Sequence, residues 1–182
     1  LRPHDNVAIR ITTKRCDRST PLDSADAPAN AEFVKDLRAW ASRTPNLHVW
    51  DFAANLWCFL TPHPNIHTMQ PNMQLYAANG VRGVHVQGAP MAGGEFAELR
   101  TYLISKLLWD PSIDCEARTD EFLRLYYQEA APFIRAYLQL ISERVRLDEV
   151  FVGVHDEAPW MDYETVKAAD ELFRRALDAV KS

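Results

Sequence analysis

Acidic, imidazole, guanidinium and indole side chains collect just beyond three short apolar, β-branched runs. Lys14-Arg15-Cys16-Asp17-Arg18 follows the first run. Trp50-Asp51-Phe52 closes the second, with Asn55, Trp57, Phe59, His63 and His67 beyond it. His85-Val86-Gln87-Gly88 closes the third, and Glu95 and Glu98 come just past Gly93-Gly94. Carbohydrate sites are built of such parts. Aromatic rings pack on the apolar faces of sugars, and two carboxyl groups roughly 5–10 Å apart do acid, base or nucleophilic work. Arginines grip an anionic substituent through two parallel hydrogen bonds. Asp51, Glu95 and Asp17 are therefore the candidate catalytic carboxylates. Arg15, Arg18, Trp50, Trp57, His85 and Gln87 are the candidate substrate-binding residues.

Each of these also has a structural reading. Asp17 sits between two arginines and would serve equally as a solvated ion pair, which stabilises little. Asp51 would fix its own loop by hydrogen bonds. Glu95 falls in the first turn of a helix, where the helix dipole alone favours a carboxylate. His85 reads as a hydrogen-bonded core histidine as readily as a ligand contact, and Trp50, Trp57 and Phe59 would fit a core. His63 and His67 have helical i, i+4 spacing, but Pro64 lies between them and no third ligand is in view. No metal is expected. Cys16 has no general base near it in sequence, so a thiol nucleophile is not expected either. A Gly-rich phosphate loop, a nucleophile elbow, HExxH and paired CxxC are all missing, so no cofactor is expected.

The chain around these residues is of ordinary globular composition. Its 182 residues are 47% hydrophobic and 25% charged, enough for one domain with a real core. Twenty Lys+Arg against 25 Asp+Glu give a formal charge of -5, which argues against a nucleic-acid partner. No apolar run approaches the roughly 20 residues needed for a membrane segment. Cys16, Cys58 and Cys115 are too few and too scattered for a disulfide framework. The opening Leu1-Arg2-Pro3 enters a β-type run almost at once, which reads as a chain cut from a longer parent. A missing targeting signal then says little about that parent.

Three strands are expected, over 7–13, 47–52 and 81–87. Between them, Asn30 should cap a helix carrying Phe33, Val34, Leu37 and Trp40 on one stripe. A second helix through Met69, Met73 and Tyr76 should end at Gly80 in a left-handed cap. Phe96, Leu99, Leu103 and Leu107 mark a third, stopping at Asp110-Pro111. Asp114 caps a further stretch through Phe122, Leu123, Tyr126 and Tyr127, and Pro132 either kinks it or opens a new helix. The stripe continues through Ile134, Tyr137, Leu138, Ile141 and Val145. A β-like run follows over 150–154, and Asp162 caps a last helix through Val166, Leu172, Phe173 and Leu177.

Alternating strands and helices at this spacing mean an α/β fold with a parallel sheet. A parallel sheet needs both faces covered, and three such strands leave two unpaired edges. A (β/α)8 barrel resolves this by closing, but typically takes about 250 residues. The economical reading is the C-terminal part of a TIM-type barrel over residues 1–112 (three parallel βα units), followed by a helical extension over 113–182. A small open α/β sheet is the rival.

Particular stretches carry a family resemblance: Trp50-Asp51-Phe52 running to Thr61-Pro62-His63-Pro64-Asn65; Gly94-Glu95-Phe96-Ala97-Glu98-Leu99-Arg100 running to Lys106-Leu107-Leu108-Trp109-Asp110-Pro111; and Glu121-Phe122-Leu123 through Tyr126-Tyr127 to Ala130-Ala131-Pro132. With Asn6-Val7 and Cys16-Asp17, they resemble the C-terminal part of the bacterial domain of unknown function 4838 family. That resemblance implies a glycoside hydrolase-like barrel, often found beside an α-glucuronidase-like N-terminal domain in polysaccharide-degrading bacteria. It suggests a secreted or periplasmic parent without deciding the compartment. It implies a site rim of Asp17, Trp50, Asp51, Gln87 and Glu95. One departure stands out: where relatives have a last strand like GVFEQG, this chain reads Gly83-Val84-His85-Val86-Gln87-Gly88, with valine in place of the acid.

The functional expectation is a fragment of a glycoside hydrolase-like protein acting on a complex, uronic-acid-containing glycan. In it Asp51 is catalytic or orients substrate, and the fragment is inactive without the missing barrel half. Expected partners are a carbohydrate ligand, the remainder of the parent chain, and a homo-oligomer formed through open strand edges. The rivals are a non-catalytic carbohydrate-binding protein on a degenerate hydrolase barrel and a structural interaction module.

Overall fold

The computed structural model describes residues 2–88, 93–155 and 157–181. Strands β1 (Ile9–Thr12), β2 (Leu47–Phe52) and β3 (Gly83–Gln87) form a parallel sheet in the order β1-β2-β3. Helix α1 (Ala31–Ala41) connects the first pair, α2 (Ile66–Ala78) the second, and α3 (Ala97–Trp109) follows β3. The fold is thus mixed α/β.

Period-two alternation divides the strand residues between two environments. Ile9, Ile11, Leu47, Val49, Val84 and Val86 pack into a core with Phe33, Val34 and Leu37 of α1, Met69, Met73 and Tyr76 of α2, and Leu99, Leu103 and Leu107 of α3. Arg10, Thr12, His48, Trp50, Phe52, His85 and Gln87 occupy the alternate positions. That face is open to solvent at Arg10, Thr12 and His85. Gly83 belongs to it for a steric reason: a Cβ there would lie 2.6 Å from His48 Nδ1.

The strands are shorter than the apolar runs because local turns claim their ends. The Val7 amide donates to His4 O (2.9 Å), and the Val81 amide donates to Tyr76 O (3.1 Å). The second bond belongs to the cap of α2, where Gly80 has φ +68° and its amide donates to Ala77 O. These two bonds are the Schellman pattern that a glycine at this position favours.

Beyond α3, helix α4 (Cys115–Tyr127) starts under Asp114, whose Oδ1 accepts from the Ala117 amide (3.0 Å). Pro132 opens a new helix: a 3-10 turn over Gln128–Ala130 leads into α5 (Ala131–Leu147), with proline in the first turn. There its missing amide leaves no intrahelical bond unmade. The α5 stripe Ile134, Tyr137, Leu138, Ile141 and Val145 is buried throughout. Asp162 caps α6 (Tyr163–Ala179) through the Thr165 amide (2.8 Å).

Three expectations need correction. The 150–154 run is a strap of irregular backbone, with no strand edge beside it. Asn30 precedes α1 but does not cap it with its side chain; the amide instead bonds both the Asp17 amide (2.8 Å) and Asp17 O (3.0 Å). The buried side of α6 is Thr165, Ala169 and Ala176, while Val166, Phe173 and Leu177 are 47%, 38% and 57% exposed. Of the expected stripe, Leu172 packs against the core and the Phe173 ring meets Tyr137 with centroids 4.8 Å apart, while the fully buried positions are taken by smaller side chains.

Candidate functional site

At the carboxyl ends of β1 and β2, main-chain carbonyls have no further strand partner, and Arg18 meets them. Its Nε donates to Phe52 O (2.8 Å) and Nη2 to Thr13 O (2.7 Å), while Nη1 donates to Cys16 O. The residue is 4% exposed. Burial lowers its pKa, with the Asp51 charge opposing. This corrects the expectation that Arg18 grips a ligand anion, because its donors are already engaged with protein. Beside it, burial pushes the Cys16 thiol up to about 12.

Asp51 faces the helix layer. Its Oδ1 accepts from Thr13 Oγ1 (2.6 Å) and the Phe52 amide (2.8 Å), and Oδ2 accepts from Tyr76 Oη (3.0 Å). Burial, and then the Asp51 charge, raise the Tyr76 phenol well above its usual range, which keeps it a donor. Asp17 joins the first loop to the strap: Oδ1 accepts from the Ser19 and Val152 amides (2.8 and 2.9 Å), and Oδ2 from Ser19 Oγ (2.8 Å). The strap is further held by Arg18 N to Val152 O (3.0 Å) and Leu56 N to Val154 O (2.6 Å). It therefore crosses the loops that follow β1 and β2.

Glu95 belongs to a different cluster. Its Oε2 pairs with Arg100, the two side chains being 8% and 5% exposed, and its Oε1 is buried without a partner among the described residues. Arg100 also donates to His63 O (2.6 Å) and to Asn65 Oδ1, fixing the loop after β2 from α3. His63 is buried within this region, with neither ring nitrogen hydrogen-bonded to a described residue. Burial and the neighbouring Arg100 and Arg18 hold it well below the usual histidine range. Among the described residues, no three His, Cys, Asp or Glu are grouped to hold a metal ion.

Trp50, His85 and Gln87 do come together, on the open sheet face. Trp50 Nε1 donates to Gln87 Oε1 (3.1 Å), and His85 meets the indole edge-on, with centroids 5.7 Å apart. Phe52 stacks at 5.5 Å and 15°, and the Arg10 guanidinium lies 5.0 Å from the Trp50 ring. Arg10 and Phe52 were not among the sequence candidates. Both follow from alternation: Phe52 is two residues from Trp50, and Arg10 is two from Thr12, the register partner of Trp50.

Trp57 stands apart, 68% exposed on a loop organised by Asn55 Oδ1, which accepts from the Trp57 and Cys58 amides (2.9 and 3.2 Å). Its ring meets His155, centroids 5.2 Å apart. No sequence signal tied that histidine to it, since they are brought together by the strap. Arg15 is exposed, in an open pocket with Lys14, Glu32 and Asp36.

The arrangement presents an aromatic and guanidinium surface with hydrogen-bonding groups at its margin. Asp17, Asp51 and Glu95 each accept from protein donors instead of standing free together. Among known proteins, a family model described as a domain of unknown function, DUF4838, matches residues 1–139. No curated protein and no solved structure matches the chain.

Proposed function

Because the chain belongs to the DUF4838 family, we propose that its residues 1–112 are the last three βα units of a (β/α)8-type barrel, with 113–182 as a helical extension, and that its open sheet face is a glycan-contacting wall of that barrel. The adjacent order of parallel strands, with one face packed on helices and the other open, supports the barrel reading. Closure would pair both edges and turn the open face into the barrel lining, with the strand-end residues Trp50 and Gln87 toward its mouth.

The observation that carries the glycan role is the Trp50 cluster. Trp50 and the Arg10 guanidinium form a layer suited to the apolar face of a sugar, with the buried Phe52 stacked behind the indole, while His85 and Gln87 offer polar contacts to hydroxyls. Arg15 is the free guanidinium for an anionic substituent. The role assigned to this arc is binding. Asp51 and Asp17 hold loops through three accepted hydrogen bonds each, and valine stands at 86. Carboxylates for glycoside hydrolysis would come from other strands of the barrel.

The test is calorimetric titration of the full-length protein with xylotetraose, plain and bearing a glucuronic acid branch. Trp50→Ala should weaken binding at least tenfold while the circular dichroism spectrum is unchanged. Equal affinity in wild type and variant overturns the reading. Turnover abolished by Asp51→Asn would return that residue to the chemistry.

A further inference from the structure

Away from the open sheet face, the loop after β1 and the end of α5 enclose a cleft of about 750 Å³. Thr20, Ser24 and Asp26 line one wall, and Arg146, Glu149 and Phe151 line the other. The volume lies within the roughly 300–1,000 Å³ of small-molecule sites.

Both walls are held in place by the same residue. Asp17 bonds Ser19 at the start of the first wall and Val152 next to Phe151 of the second. The first wall is also tied down by Leu22 N to Asn72 Oδ1 (2.9 Å) and by contact of His67 Nε2 with Ser19 O (2.8 Å). In the second, Glu149 is held at φ +50°, a left-handed conformation uncommon for a residue with a side chain. A cleft fixed from both sides loses little conformational entropy on binding.

The lining chemistry narrows the ligand. Among the described residues, the side chains of Asp26, Arg146 and Glu149 make no hydrogen bond or ion pair, and Thr20 Oγ1 is buried without a partner. Two free carboxylates against one guanidinium disfavour an anion. The hydroxyls disfavour a purely apolar guest. What fits is a molecule rich in hydroxyl groups that donate to carboxylates and accept from arginine, with an apolar face for Phe151, which is 46% exposed.

The geometry points to this cleft as a binding site for a neutral oligosaccharide, separate from the Trp50 surface and independent of the role proposed there. Cellotetraose, mannotetraose and tetragalacturonate would be titrated separately into the Trp50→Ala protein, so that the sheet-face surface does not contribute. At least one neutral tetrasaccharide should bind, and tetragalacturonate should not displace it. Phe151→Ala should weaken that binding at least tenfold, as should Ala29→Trp, which fills the cleft from an exposed position and decides the matter if the first variant unfolds. The inference is overturned if no neutral probe binds, if both cleft variants bind like the Trp50→Ala parent, or if tetragalacturonate displaces the neutral probe.

Discussion

Asp51 of β2 and Val86 of β3 are register partners, side by side on the helix-facing surface of the sheet. Neighbouring strands run about 4.8 Å apart. An acid at position 86 would therefore place two carboxyl groups near the roughly 5–5.5 Å separation of a retaining glycosidase pair. With valine there, the Asp51 carboxylate has Thr13, Tyr76 and the Phe52 amide as its partners. A cavity of only about 20 Å³ lies against both residues.

Val86→Glu should consequently behave as a like-charge pair in a confined space. One carboxyl of the pair should have a raised folded-state pKa, so the cost is largest at high pH and shrinks as pH falls through that value. Urea denaturation should show a loss of about 1–3 kcal/mol at pH 8 and a smaller one near pH 4.5. An equal loss at both values would mean that steric overlap dominates.

His63 predicts a specific acid limb. Its folded pKa lies below the unfolded value of about 6.5, so the unfolded state binds the proton first. Stability should therefore be fully present above about pH 6.5 and fall as pH drops, by up to about 1.4 kcal/mol per pH unit, until the folded histidine protonates. His63→Leu removes the titrating group with its two ring nitrogens. The difference between wild type and variant, followed by chemical denaturation from pH 7.5 to 5, should move steadily in favour of the variant. A constant difference would show that His63 is protonated alike in both states.

Asp17→Ala should release the strap. One lost bond joins residues 135 apart in the chain and two reach Ser19, and hydrogen bonds to a charged group contribute about 1.5–3 kcal/mol each. Exchange of the Val152 amide with solvent deuterium should accelerate well before the core amides change. If Val152 remains as protected as in wild type, Arg18 and Leu56 suffice to hold the segment.

Arg100→Met leaves Glu95 buried with its partner removed, together with an unmet acceptor at Asn65 Oδ1, while His63 O keeps the Asn65 amide. Breaking a buried pair in this way costs about 3–5 kcal/mol. Glu95→Gln/Arg100→Met should recover part of that loss, since the uncompensated charge is gone. Thermal denaturation of the two variants reads the difference directly, and equal destabilisation would make the pair's charge irrelevant.

Much of the local architecture was legible without coordinates. Gly80, Asp114, Asp162 and Pro132 act within a turn of themselves, so their caps and breaks follow from backbone sterics and orphan amides alone. The strands declared themselves by alternation, and the α5 stripe by its period. The α6 stripe misled because hydrophobicity ranks Phe173 and Leu177 above Ala169 and Ala176, whereas the smaller side chains take the fully buried positions.

The site was legible in part. Residue types and spacing alone brought Trp50, His85 and Gln87 forward, and the structure unites them. Which face of the sheet would be covered depended on where α1, α2 and α3 lie, and that turned Asp51 inward and Trp50 outward. The partners of Arg18 and Asp17 were likewise a tertiary decision. Their hydrogen bonds reach 34 and 135 residues along the chain. Chain sequence specifies what a guanidinium or carboxylate can bond, but only proximity in space selects which carbonyl or amide it meets.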